Sequence, residues 1–89
     1  MEPKIEYFLD ERGRINQLPS KQKKLLAVLA YLTTKFELDT DYTEHQVNGI
    51  CDRWHTFNDF YLLRRELVDN GFLGRERDGS RYWRIYIPE

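Results

Sequence analysis

At Gly71 the hydrophobic pattern of this chain changes from the period of a helix to that of a strand. Upstream, Phe60, Leu63 and Leu67 recur at three- and four-residue spacing and define the buried side of a helix over Asp59–Asn70. Gly71 suits the left-handed position that ends such a helix. Downstream, Phe72–Arg77 and Arg81–Ile87 read as two strands around an Asp78-Gly79 turn. In the second strand Trp83, Ile85 and Ile87 share one face, and Tyr82, Arg84 and Tyr86 share the other.

The preceding segments supply two more helices. Ser20 is placed as an N-cap, and Leu25, Leu26, Val28, Leu29, Leu32 and Phe36 form a wide apolar stripe, so a first helix is expected over Lys21–Phe36. Glu37–Tyr42 reads as an acidic loop. Thr43 with Gln46 has the spacing of a capping box, and Val47, Ile50, Cys51 and Trp54 fall in one arc, so a second helix runs to about His55. Gly49 stands mid-helix on the outer side, at a cost of about 1 kcal/mol relative to Ala. Thr56–Asn58 then joins the second helix to the third as a helix-turn-helix. At the start of the chain, Ile5–Leu9 and Arg14–Leu18 read as strands around a turn at Gly13, with Pro19 ending the second. The expected fold class is α+β: a winged helix-turn-helix of three helices and a C-terminal two-stranded hairpin, with an N-terminal β-hairpin added. Residues 1–89 read as a single domain.

Several phrases together resemble a known family: Phe8-Leu9-Asp10 with Gly13-Arg14, Leu18-Pro19, Tyr42-Thr43-Glu44 with Val47-Asn48, and Asp59. They continue with Leu63 to Asp69, Gly71-Phe72-Leu73, Arg75, and Tyr82-Trp83-Arg84. The chain is similar to the bacterial domain-of-unknown-function family numbered two thousand and eighty-seven. The resemblance implies a small winged-helix-like domain that occurs alone or fused to helix-turn-helix regulators. Leu62 stands where that family tends to have a smaller or polar residue.

Charge and composition narrow the function classes. The net charge of −1 gives no global attraction to nucleic acid, but the charges are unevenly placed. Residues 1–36 carry seven basic and four acidic side chains, 37–59 one basic and six acidic, and 60–88 six arginines and four acids. The lone Cys51 excludes an intramolecular disulfide and suits a reducing, cytoplasmic setting. The first residues lack the apolar run of a signal peptide, and no stretch is apolar and long enough to span a membrane.

Two functional surfaces follow. As a DNA reader, the third helix would enter the major groove with Tyr61, Arg64 and Arg65, while Arg75, Arg77, Arg81 and Arg84 of the hairpin and Lys21, Lys23 and Lys24 hold phosphates. The competing reading pairs these arginines with acids: Arg65 with Asp69, Arg64 with the Glu37–Asp41 loop, and the hairpin arginines with Glu76 and Asp78. As a protein-interaction or dimerisation module, the chain would present Tyr61 and Leu62, or the smooth strip of Ala27, Ala30 and Thr34, to a homodimer mate or a partner regulator.

Catalysis and metal binding find little support. Cys51 and His55 are four apart on one helix, but four ligands cannot be assembled, and Cys51 reads as a buried small hydrophobe. There is no glycine-rich phosphate loop, nucleophile elbow or His-Glu-x-x-His stretch. The expectation is a non-enzymatic domain without cofactor.

Overall fold

A computed structural model describes residues 4–86. Its elements are a 3-10 turn at Glu6–Phe8, helix α1 (Gln22–Thr33), strand β1 (Asp41–Tyr42), helices α2 (Glu44–Arg53) and α3 (Phe60–Asp69), and strands β2 (Leu73–Arg75) and β3 (Tyr82–Arg84). The architecture is α+β: three helices and an antiparallel sheet in the order β1-β3-β2.

The core forms where the helical stripes meet the sheet. Val28, Leu29, Leu32 and Phe36 from α1 and its end, Val47 and Cys51 from α2, and Leu63 and Leu67 from α3 are all buried. Leu73 and Tyr82 close the core from the sheet, and Ile15 from the N-terminal segment is fully enclosed. Every buried side-chain polar atom among the described residues has a partner. Thr33, for example, donates its hydroxyl to the Leu29 carbonyl at 2.7 Å.

The capping box of α2 forms as its sequence implies, while α3 begins one residue later than expected, with Asp59 as its N-cap. Thr43 Oγ1 accepts from Gln46 N–H at 3.1 Å, and Gln46 Oε1 accepts from Thr43 N–H at 2.9 Å, a reciprocal capping box. Asp59 caps α3 by accepting from Leu62 N–H, and Gly71 follows with φ of 81°. Helix α1 differs. It starts at Gln22 with Lys21 in the N-cap position, one residue beyond Ser20, so no side-chain oxygen caps it. Its last helical residue is Thr33, and Phe36 enters the core from the turn that follows.

The N-terminal hairpin does not form as two strands. Residues 6–8 coil into a 3-10 turn, and the segment around Ile15 makes isolated bridges to Leu9 and His55. The two segments do meet, through Asp10 N–H donating to the Arg14 carbonyl and Asn16 N–H donating to the Phe8 carbonyl, but the ladder stops there because residues 6–8 coil away. On its other side Ile15 is sewn to the end of α2: its N–H donates to the Trp54 carbonyl, and its carbonyl accepts from Thr56 N–H. The turn itself is built by Asp10, whose Oδ1 accepts from the N–H groups of Arg12 and Arg14, with Gly13 at φ of 79°.

The C-terminal ribbon is present but shorter than expected. Leu73, Gly74 and Arg75 pair with Arg84, Trp83 and Tyr82. Glu76 N–H donates to the Arg81 carbonyl, which leaves Arg77–Ser80 as the loop. Tyr82 faces the core and Trp83 the other side. Ile87, expected beside Trp83 and Ile85, lies outside the described residues.

The acidic segment contributes a strand. Asp41 and Tyr42 pair with Trp83 and Tyr82, which makes β3 the middle strand. The Tyr42 ring meets Phe36 edge-on at 5.3 Å, so this short strand is anchored on the core. A second correction concerns Phe60, which is 37% exposed. The aromatic packed at this end of the core is Phe57, from the connection before α3, whose ring meets the edge of His55 at 4.6 Å.

Candidate functional site

The outer side of α3 and strand β2 border one groove of about 170 Å³. Tyr61, Arg64, Arg65 and Val68 reach it from α3, Arg75 from β2, and Glu44 and Tyr82 from α2 and β3. This placement follows from the helix stripe: with Leu63 and Leu67 inward, Tyr61 and Arg65 turn to solvent on successive turns.

The arginines of this region divide by what holds them. Arg64 is structural. Its Nη1 donates to Asn48 Oδ1 at 2.5 Å, its Nη2 lies 3.6 Å from Glu44 Oε1, and its side chain is 15% exposed. Glu44 also accepts a hydrogen bond from the Tyr82 hydroxyl at 2.9 Å. One carboxylate thus joins α2, α3 and β3. Burial, and then this hydrogen bond, push the Tyr82 hydroxyl above the ordinary tyrosine range. The expected acid partner for Arg64 was the Glu37–Asp41 loop; the partner lies just past it, at Glu44.

Arg81 is also committed. It bonds Glu76 at 2.6 Å and Asp41 at 3.2 Å, and these carboxylates raise its affinity for its proton further. Its guanidinium sits 4.5 Å from the Trp83 ring centroid. Arg84 reaches the other way and donates to the Phe36 carbonyl at 2.9 Å.

Arg65, Arg75 and Arg77 remain exposed, and none is in an ion pair among the described residues. The expected Arg65–Asp69 pair does not form. Arg64 and Arg65 lie 5.0 and 6.0 Å from the Tyr61 ring centroid, and Arg75 lies 5.7 Å from that of Tyr82.

The remaining expected site residues fall elsewhere. Lys21 and Lys24 line a separate hollow with Phe8, Leu18 and Pro19, and none of the three lysines borders the α3 groove. Leu62 is half-buried, whereas Tyr61 beside it is 54% exposed. Ala30 and Thr34 are exposed and Ala27 is half-buried.

Cys51 and His55 do not meet as metal ligands. The His55 ring bridges backbone groups instead: Nδ1 lies 2.7 Å from the Cys51 carbonyl, and Nε2 accepts from Asp59 N–H at 2.6 Å. An Nε2 that accepts requires Nδ1 to carry the proton and donate it. Burial pushes the Cys51 thiol up to about 12.

The sequence reading misses Glu44 and Asn48 as the holders of Arg64, and Tyr82 as the donor that holds Glu44. Glu44 and Asn48 are four apart on α2, which puts them on one face, and that spacing is the signal that was available.

A family model described as "Uncharacterized protein conserved in bacteria (DUF2087)" matches residues 14–84. The chain belongs to the DUF2087 family. No match was found among curated proteins or among solved structures. The DUF2087 region takes in all three helices and the whole sheet, including Arg64 and the groups that hold it. The DUF2087 match starts at Arg14, after the 3-10 turn. No helix among the described residues is long and apolar enough to cross a membrane.

Proposed function

We propose that this chain is a winged helix-turn-helix module that binds double-stranded DNA, as a transcriptional regulator or part of one. The element order α1-β1-α2-α3-β2-β3 and the sheet order β1-β3-β2 support the winged assignment. A short strand after the first helix pairs with the C-terminal ribbon and fixes that ribbon beside the helix-turn-helix. In this reading α3 enters the major groove and the ribbon lies against the sugar–phosphate backbone.

One observation carries the reading. Arg65 on α3 and Arg75 on β2 border the same groove, and neither has a carboxylate at ion-pair distance among the described residues. With Tyr61 beside them and Arg77 on the adjoining loop, they form a cationic edge that runs from helix to wing. Glu44 in that groove is offset by Arg64, and Asp69 limits the surface to a modest positive charge. Arg81 and Arg84 drop out of the expected phosphate contacts, and Arg64 out of the expected major-groove contacts, because the fold already uses them. The buried, lone Cys51 fits a cytoplasmic setting.

The test is a fluorescence-anisotropy titration of the chain against duplex DNA, random and genomic, across salt. Binding is expected to weaken as salt rises, because each neutralised phosphate releases counterions. Folded protein that binds no duplex at low salt removes the reading. One observation favours an interaction face on α3 instead: Phe60 and Tyr61 are exposed side by side, at 37% and 54%. Light scattering of Tyr61→Glu beside the unaltered chain separates that reading from the first.

A further inference from the structure

A second groove, of about 420 Å³, opens on the outer side of α2. Its walls are Tyr42, Ile50 and Trp54, each half-buried and packed against the core. Lys35 and Arg53 stand at its rim, and neither is in an ion pair among the described residues. Lys35 Nζ rests 4.0 Å from the Trp54 centroid and 4.6 Å from that of Tyr31. Gly49 lies in this groove, exposed, in the middle of α2.

Nothing inside the chain explains Gly49. A Cβ there would meet no atom within 4 Å, and its φ is not positive. A helix-interior glycine without a packing neighbour or a special φ weakens the helix with no internal return. What it does permit is close approach of another backbone to α2 from outside.

The same chain carries a matching knob. Of the exposed large hydrophobic side chains among the described residues, Leu38 is the aliphatic one; the others are aromatic. Leu38 stands between Glu37 and Asp39 in the loop after α1, all three exposed. An apolar side chain flanked by two carboxylates complements a groove that has three apolar walls, with Gln46 also lining it, and two cations at its rim. The knob also lies between two groove residues in the chain, Lys35 and Tyr42. Knob and groove are therefore neighbours, as an isologous two-fold contact demands: each copy gives its knob and receives the other's across one axis.

We infer that the α2 groove is the seat of a second copy of this chain, with Leu38 of each protomer entering the groove of the other, Glu37 and Asp39 facing Lys35 and Arg53, and Gly49 admitting the incoming loop. The inference stands apart from the DNA reading, since it uses a different surface and is tested without DNA.

Sedimentation velocity from micromolar to millimolar chain is the experiment. A reversible dimer is expected. Leu38→Glu weakens it at least tenfold. Gly49→Ala raises the melting temperature of the chain while weakening the dimer, a combination that a purely structural glycine would not give. Charge reversal supplies the decisive mixture. Lys35→Glu/Arg53→Glu and Glu37→Lys/Asp39→Asn are each monomeric alone, and they form a heterodimer when mixed. A chain that stays monomeric at millimolar concentration overturns the inference. So does a dimer that ignores Leu38→Glu, or one that Tyr61→Glu breaks while the groove variants do not.

Discussion

Gly74 and Trp83 face each other across the β2–β3 ladder, with the indole resting where a side chain on residue 74 would begin. The β2–β3 ribbon is therefore stiffened by a ring laid on bare backbone, with Arg81 stacked against that ring. Gly74→Ala forces the indole off its seat. The expected loss is about 1–3 kcal/mol, the range for overpacking a filled site. Urea unfolding gives the loss, and tryptophan fluorescence of the folded variant shifts with it. An unchanged midpoint would place the ring elsewhere.

Arg64 and Arg65 are adjacent in the chain but have separate roles. Arg64→Ala leaves Glu44 and Asn48 without their cation and costs about 2 kcal/mol of stability, as expected for hydrogen bonds to a charged group. In the proposed DNA binding, the salt slope stays as it was. Arg65→Ala and Arg75→Ala do the reverse: stability holds within about 0.5 kcal/mol, and each lowers the salt slope by about one phosphate contact. Should Arg64→Ala lower the slope and spare the fold, the roles are assigned the wrong way round.

His55 ties the end of α2 to the start of α3 through both ring nitrogens. His55→Ala strands the Asp59 N–H, leaves the Cys51 carbonyl with the Trp54 N–H alone, and opens the packing against Phe57. A loss of about 2–3 kcal/mol is expected. Hydrogen exchange locates it, since protection should fall first at Asp59 and in the first turn of α3.

Alkaline pH loosens the fold through two groups. Burial raises the Cys51 thiol from an ordinary 9.0 to about 12. Burial, with the bond to Glu44, raises the Tyr82 hydroxyl above its ordinary 10.0. Both are neutral in either state below about pH 8, so their contribution to stability is complete there. As pH rises through these ordinary values the unfolded chain ionises first, and stability falls until the folded-state values are passed. Melting temperatures should be flat to about pH 8 with respect to these groups and then decline. Tyr82→Phe and Cys51→Ala should each flatten the decline. The native thiol should also resist alkylation until the chain is unfolded.

The parts of the fold that declare themselves in the sequence are those with local grammar. The Thr43–Gln46 box, Asp59 ahead of α3, and Gly71 after it mark helix ends through bonds that span only a few residues. The parts that stay hidden depend on distant partners. Asp41–Tyr42 is too short to show alternation, and it becomes a strand because β3 offers an edge some forty residues later. Ile15 reads as part of a local hairpin, but its backbone bonds go to Trp54 and Thr56. Phe60 fits the α3 stripe by spacing, yet Phe57 fills that end of the core. The site divides in the same way. Tyr61, Arg65 and Arg75 can be grouped from helix phase and strand order. That Arg64, Arg81 and Arg84 are spent on the fold becomes visible only when Glu44, Asp41 and the Phe36 carbonyl arrive beside them.

The middle strand of the sheet is also the last of its three to leave the ribosome. Until Tyr82–Arg84 emerges, β1 and β2 have no shared neighbour, and the core lacks the Tyr82 ring that seals it. A nascent chain halted before Tyr82 can form helices but has no sheet to set them against. Folding of this region therefore waits for nearly the whole of it to be made, and arrested chains of graded length should gain protease resistance in one late step.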